Sequence, residues 1–208
     1  MNGKYFLKGG ITILTLFEKL TGQKVVCPWW LCFTFDNPLR RLFHDPNTIL
    51  EPLVHPGDNV IDIGCGMGYF TIPLAKLAGQ EGHVTAVDVQ ERMLAVLRKR
   101  AVRNGVSETV TTYLGSSGSI GCHEKADFIL LFWMFHEVPD QRALLIEIRD
   151  LLKAGGCVLF VEPIIHVPKK SFLRMTRIAA EVGFTIEQGP RIRFSKSALL
   201  SVAGKDSQ

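Results

Sequence analysis

The stretch Asn59-Val60-Ile61-Asp62-Ile63-Gly64-Cys65-Gly66-Met67-Gly68-Tyr69-Phe70-Thr71 constrains this chain more than any other. Val60 to Ile63 read as a short buried strand. Gly64, Gly66 and Gly68 then alternate. A tight strand-to-helix turn needs residues that tolerate positive φ and let the backbone approach a ligand. Beyond it, Phe70, Ile72, Leu74, Ala75 and Leu77 suit a helix packed on a sheet. A second strand, Val84 to Val87, ends at Asp88, twenty residues past Gly68. A carboxylate there can take both hydroxyls of a ribose. Turn and carboxylate together describe a nucleoside site at the carboxyl ends of parallel strands.

The dinucleotide fingerprint G-x-G-x-x-G does not fit, because Tyr69 stands where its third glycine belongs. Asp62 stands two residues before the first glycine. A carboxylate there repels a pyrophosphate and suits a cationic ligand. A dehydrogenase is thereby disfavoured.

Three later stretches complete a pattern: Ala126-Asp127-Phe128 to Trp133, then Phe135-His136-Glu137-Val138-Pro139-Asp140, then Leu152-Lys153-Ala154-Gly155-Gly156-Cys157-Val158-Leu159. With Asp62-Ile63-Gly64-Cys65-Gly66-Met67-Gly68 and Asp88, their order and spacing resemble the class I S-adenosylmethionine-dependent methyltransferases, in their small-molecule branch. The resemblance covers Pro46 to Glu162 well and the rest loosely. It implies an α/β, Rossmann-like, doubly wound, seven-stranded, mostly parallel sheet with an antiparallel last strand. It also implies an N-terminal helical cap over residues 1–45, before a methyltransferase domain over 46–204.

The resemblance further implies S-adenosylmethionine as methyl donor and S-adenosylhomocysteine as product. Asp62 and the backbone of Gly64, Cys65, Gly66 and Gly68 would hold the methionine portion. Asp88 would take the ribose, and Val89 and Met93 the adenine face. Ser116 and Ser117 would line the adenine edge, and the backbone of Phe132 would face the amino-acid end. Trp133 or Tyr69, with Phe70 adjoining, would lie beside the sulfonium, since aromatic faces attract cations. One position departs from the family. Ser116 stands where an aspartate usually accepts from the adenine amino group, and a neutral acceptor makes a weaker bond.

Methyl transfer from a sulfonium is an in-line displacement, and most of its catalysis can come from positioning. A base is needed only when the nucleophile arrives protonated. His136, just after the fourth strand, is the catalytic candidate, because imidazole titrates near neutrality. The alternative for His136 is a local loop hydrogen bond. Glu137 and Glu162 are weaker candidates of the same kind. Only the short segment Ile164 to Lys170 separates the fifth strand from the next helix, so no large substrate insertion exists there. An apolar, aromatic lining suits a small or lipid-like acceptor, of quinone, small aromatic or sterol type. A non-catalytic S-adenosylmethionine-binding sensor or partner subunit is the alternative, and Ser116 is the feature that favours it.

Composition bounds the rest. A net charge of +4 over 208 residues gives no concentrated basic face, so nucleic acid is not an expected partner. Lys169, Lys170, Arg174 and Arg177 read as a solvated helix face. Five cysteines argue against a disulfide scaffold and for a reducing, cytoplasmic compartment. Cys27 and Cys32 read as buried thiols, and no metal is expected. The aromatic run Val25 to Phe35, with Trp29 and Trp30, reads as core or lid, with membrane-surface or homodimer contact as the competing role. Helices are expected over Glu91–Arg103, Gln141–Leu152 and Ser171–Val182, the middle one ended by Gly155-Gly156. A closing hairpin is expected from Phe184–Glu187 and Ile192–Val202.

Overall fold

The computed structural model describes residues 38–116, 119–165 and 167–202. Residues 1–37 of the expected N-terminal cap, with Trp29, Trp30, Cys27 and Cys32, lie outside the described residues, as does Ser117. A 3-10 turn over Pro38–Leu42 leads into α1 (Pro46–Leu50). Strand β1 (Asn59–Ile63), helix α2 (Thr71–Ala78), strand β2 (His83–Asp88), helix α3 (Glu91–Arg103) and strand β3 (Val110–Leu114) follow in alternation. Then come β4 (Ala126–Phe132), α4 (Gln141–Leu151), β5 (Leu152–Pro163), α5 (Lys169–Glu181), β6 (Phe184–Gln188) and β7 (Ser195–Val202).

The seven strands form one sheet in the order β3-β2-β1-β4-β5-β7-β6. Strands β1 to β5 pair in parallel, and β7 runs antiparallel to both β5 and β6. Pleating sends alternate residues to opposite faces. Phe128, Leu130 and Phe132 of β4 pack with Ile49, Leu74 and Leu97 from α1, α2 and α3. Ile129 and Leu131 pack with Leu145, Ile148 and Phe172 from α4 and α5. Both faces are therefore covered, which is why β4 is apolar throughout. Chain order reverses between β1 and β4, and ligands of open α/β sheets bind at such a switch, beyond the strands' carboxyl ends.

Two boundaries differ from expectation. Helix α4 ends at Leu151, and Gly155-Gly156 lie inside the twelve-residue β5 rather than stopping a helix. The β4–β5 pairing shifts register there, and a Cβ at Gly156 would lie 2.8 Å from the Asp127 carbonyl oxygen. The glycine lets two backbones pass closely at an irregularity, which is a strand role. Ile192 to Phe194 also stand outside β7, because Phe194 turns the chain at φ +57°.

Candidate active site

The glycine turn is shaped by what packs against it. Gly64 and Cys65 both donate from their backbone N–H to the Val87 carbonyl, at 2.8 and 3.0 Å. Gly64 has φ +75°, and a Cβ on it would lie 2.8 Å from Met134 Cβ. Gly68 has φ +87°, and its Cβ would lie 2.3 Å from Leu97 Cδ1. At both positions conformation and space together demand glycine. Arg100 of α3 donates to the Met67 carbonyl at 3.1 Å and braces the turn from outside.

Asp88 closes the turn from the neighbouring strand. Its Oδ2 accepts from Gly66 N–H at 2.9 Å and its Oδ1 from Gln90 N–H at 2.9 Å. Burial raises its pKa, and these bonds oppose the rise. Asp62 lies deeper. Its side chain is buried, and Thr71 donates from Oγ1 to Asp62 Oδ2 at 2.6 Å. Burial pushes the Asp62 pKa up to about 7; the Thr71 bond opposes this, the Asp88 charge adds to it, and Arg40 opposes it. Two buried carboxyl groups, one raising the pKa of the other, favour a cationic ligand.

Aromatic rings line the side next to the turn. Phe70 and Phe132 lie 4.2 Å apart between centroids, and Tyr69 and Trp133 flank them at 5.1 Å from Phe70 and 5.7 Å from Phe132. The Arg40 guanidinium carbon lies 4.3 Å from the Tyr69 centroid and 5.5 to 5.7 Å from those of Phe70, Trp133 and Phe132. The cage thus holds a cation. Tyr69 donates from its hydroxyl to the His44 carbonyl at 2.8 Å. Buried His44 has a lowered pKa because of desolvation, and its Nε2 bonds the Arg193 carbonyl at 2.7 Å. Trp133 adopts φ +60° directly after β4 and donates from Nε1 to Ser195 Oγ at 2.9 Å. A bulky residue in the left-handed region is strained, and such strain gathers at functional sites.

His136 meets a buried partner. Its Nδ1 lies 2.6 Å from Oε2 of Glu162, whose side chain is fully buried at the end of β5. The His136 backbone N–H donates to Glu162 Oε1 at 3.2 Å. Glu137 Oε1 stands 4.0 Å from Nε2. With the proton on Nδ1, Nε2 keeps its lone pair, the arrangement that lets imidazole accept a proton.

The structure brings Asp62, Gly64, Cys65, Gly66, Gly68, Tyr69, Phe70, Asp88, Phe132 and Trp133 to the carboxyl edge of β1, β2 and β4. Val89 follows at 43% exposure, and Ser116 lies exposed after β3. Met93 is buried within α3. Cys65 is buried, and desolvation raises its thiol pKa well above the ordinary value. Among the described residues no cluster of three metal-ligating side chains exists. Arg40 and His44 were not legible in advance. They precede the stretch that carries the resemblance, and nothing local marks Arg40 as a site cation.

This sheet order, glycine turn and paired acids define the fold of class I S-adenosylmethionine-dependent methyltransferases. A solved S-adenosylmethionine-dependent methyltransferase from Aquifex aeolicus superposes with TM-score 0.73 at 22% identity, over 84% of this chain and all of that one. A methyltransferase-domain profile matches residues 54–185, and the chain belongs to that family. S-adenosylmethionine is the family's cofactor. Among curated relatives, the demethylmenaquinone methyltransferase of Symbiobacterium thermophilum is 31% identical over 108 residues, 51% of this chain and 43% of that protein. Aklanonic acid methyltransferase from Streptomyces sp. is 27% identical over 139 residues, 67% of this chain and 61% of that protein. The chain spans about half the length of the curated relatives it matches. The fold alone does not fix the reaction. The [4+2]-cyclase SpnF shares it at TM-score 0.64 and 15% identity, over 77% of this chain and 82% of that one.

Proposed function

We propose that this protein transfers the methyl group of S-adenosylmethionine, in line, to a small apolar or aromatic acceptor whose hydroxyl or activated carbon gives up a proton to His136. The observation that carries the reading is the His136–Glu162 pair, at 2.6 Å and backed by a fully buried carboxyl group. The acceptors named for the two curated relatives, demethylmenaquinone and aklanonic acid, support an acceptor of this kind. No described helix is long and apolar enough to cross a membrane.

Each residue then has a task. The Asp88 carboxylate keeps lone pairs beyond its two backbone bonds, and these accept the ribose hydroxyls. Asp62 supplies negative charge to the methionine ammonium. Arg40 sits beside Asp62 and supplies positive charge to the methionine carboxylate. Tyr69, Phe70, Phe132 and Trp133 hold the Arg40 guanidinium and exclude water from this side of the site. Val89 packs on adenine, and Ser116 meets its edge. The cofactor's sulfonium would supply the methyl group to the acceptor atom, and His136 Nε2 takes the acceptor proton. Glu162 fixes the imidazole ring and its tautomer.

The test is turnover on a panel of phenolic and quinol acceptors by wild type, His136→Ala and Glu162→Gln. His136→Ala should lose the rise of kcat with pH. Glu162→Gln should lower kcat by roughly 10- to 100-fold with KM nearly unchanged, the scale of one charge-assisted hydrogen bond. Near-normal turnover by His136→Ala would overturn the base role.

A further inference from the structure

The carboxyl edge of the sheet carries a feature that methyl transfer does not use. Ile164 and Ile165 follow β5, and Ile165 is 73% exposed. Ile164 donates from its N–H to the carbonyl of Phe194, itself exposed, at 2.9 Å. Helix α5 begins four residues after Ile165 and presents Lys169, Lys170, Arg174 and Arg177 to solvent, with Leu173 exposed among them. From Pro163 through Ala180 the sequence contains no acidic residue, and none occurs from Gln188 through Val202. An open groove of about 690 Å3 separates the start of α5 from the β6–β7 connection, and Lys169, Arg191 and Lys196 contribute to its lining.

We propose that this face docks on an anionic lipid membrane. Ile164, Ile165 and Leu173 enter the boundary between headgroups and acyl chains, and Lys169, Lys170, Arg174 and Arg177 lie over the anionic headgroups. Exposed aliphatic side chains interleaved with cations, on a helix whose one acidic residue, Glu181, is already paired with Arg142, are the composition of an interfacial surface. Each component alone would mean little, since single exposed leucines and lysines are ordinary. Charge complementarity selects the partner. A second copy of the chain would bring cation against cation. A single-stranded nucleic acid would be met by stacking aromatic rings, whereas α5 offers aliphatic side chains between its cations. Because Ile164 and Ile165 directly follow Glu162 and Pro163, the docked edge is also the edge that carries His136. An amphipathic acceptor then reaches the site from the bilayer, a step that rests on the proposed acceptor class.

The experiment is co-sedimentation of the full chain with vesicles of phosphatidylcholine alone and with about one-third phosphatidylserine, at low and high salt. Binding should require phosphatidylserine and fall with salt. Lys170→Glu with Arg177→Glu should weaken it by more than about 100-fold, given roughly fivefold for each cation removed and again for each charge added. Ile165→Asp should weaken it by roughly tenfold or more. Titration with S-adenosylmethionine should be unchanged in every variant, which shows that each is folded. Absent vesicle binding in a chain that still binds the cofactor would overturn the proposal, as would vesicle binding insensitive to these substitutions. Retention of a labelled RNA in place of vesicles would overturn it in favour of nucleic acid. Vesicle binding without methyl transfer to any acceptor would leave the docking intact and overturn the catalytic reading instead.

Discussion

Replacing Asp62 by Asn should stabilise the empty protein while crippling it. Asp62 has an ordinary carboxyl pKa of 3.8 in the unfolded chain and about 7 in the fold, chiefly because it is buried. Between about pH 4 and pH 7 the native state therefore holds a proton that the unfolded chain has released, and stability falls as pH rises through that window. The cost grows by about 1.4 kcal/mol for each pH unit between the two values, and it reaches roughly 4 kcal/mol once both states are ionised. Asn cannot ionise, and its carbonyl oxygen can still accept the Thr71 hydroxyl that Asp62 Oδ2 accepts at 2.6 Å. The assay is urea unfolding of wild type and Asp62→Asn, without cofactor, at about pH 5 and about pH 8. The variant should exceed wild type by roughly 1 to 2 kcal/mol at the lower pH and by roughly 3 to 4 kcal/mol at the higher. Asp88, also raised by burial, adds a slope of the same sign to both proteins. A variant less stable than wild type at the higher pH would refute the assignment of an uncompensated buried carboxyl. Cofactor affinity should meanwhile fall, because the methionine ammonium loses its counter-charge.

Two further outcomes test the turn and the cage. Gly68→Ala should cost roughly 2 to 5 kcal/mol, because φ +87° costs about 1 to 2 and the clash with Leu97 about 1 to 3. Thermal unfolding should fall by about 5 to 15 °C, and Gly57→Ala, at φ +93° with nothing within 4 Å, should show only the smaller conformational share. An equal loss in both variants would exclude the Leu97 contact as a cause. Arg40→Met should weaken S-adenosylmethionine by roughly 10- to 100-fold in calorimetric titration, the scale of one charge-assisted bond. Methylthioadenosine, which lacks the amino-acid end, should bind almost unchanged, and equal weakening of both would remove Arg40 from the carboxylate.

The readable parts of this chain are those where one local pattern carries one constraint. Helix α3 runs from Glu91 to Arg103, and the Asn104-Gly105 signal stops it at the expected residue. Asp140 caps α4 by accepting Ala143 N–H at 2.9 Å, as its place before the apolar stripe implied. The glycine turn and the place of Asp88 beside it were legible because turn geometry acts over a few residues. Gly155-Gly156 misled, because a glycine pair that ends a helix and one that lets two strands approach look alike. The difference lies in Asp127, on another strand. Glu162 read as a minor candidate for the same reason: its weight comes from His136, 26 residues away in sequence.

Arg40 shows where such reading fails and what the structure adds. Its neighbours Tyr69, Phe70, Phe132 and Trp133 come from two separate stretches, and no spacing rule links either to residue 40. Yet the charges make sense only as a set. Asp62 and Asp88 raise the local negative potential, and Asp88 makes Asp62 harder to ionise. Arg40 lowers the pKa of Asp62 and is itself held by four rings. A ligand carrying both an ammonium and a carboxylate suits Asp62 and Arg40 together, whereas a dinucleotide pyrophosphate suits neither acid. The acids therefore favour the cofactor's charges while disfavouring the empty fold. The same burial that makes Asp62→Asn more stable would strengthen the attraction of Asp62 for the methionine ammonium in the proposed complex.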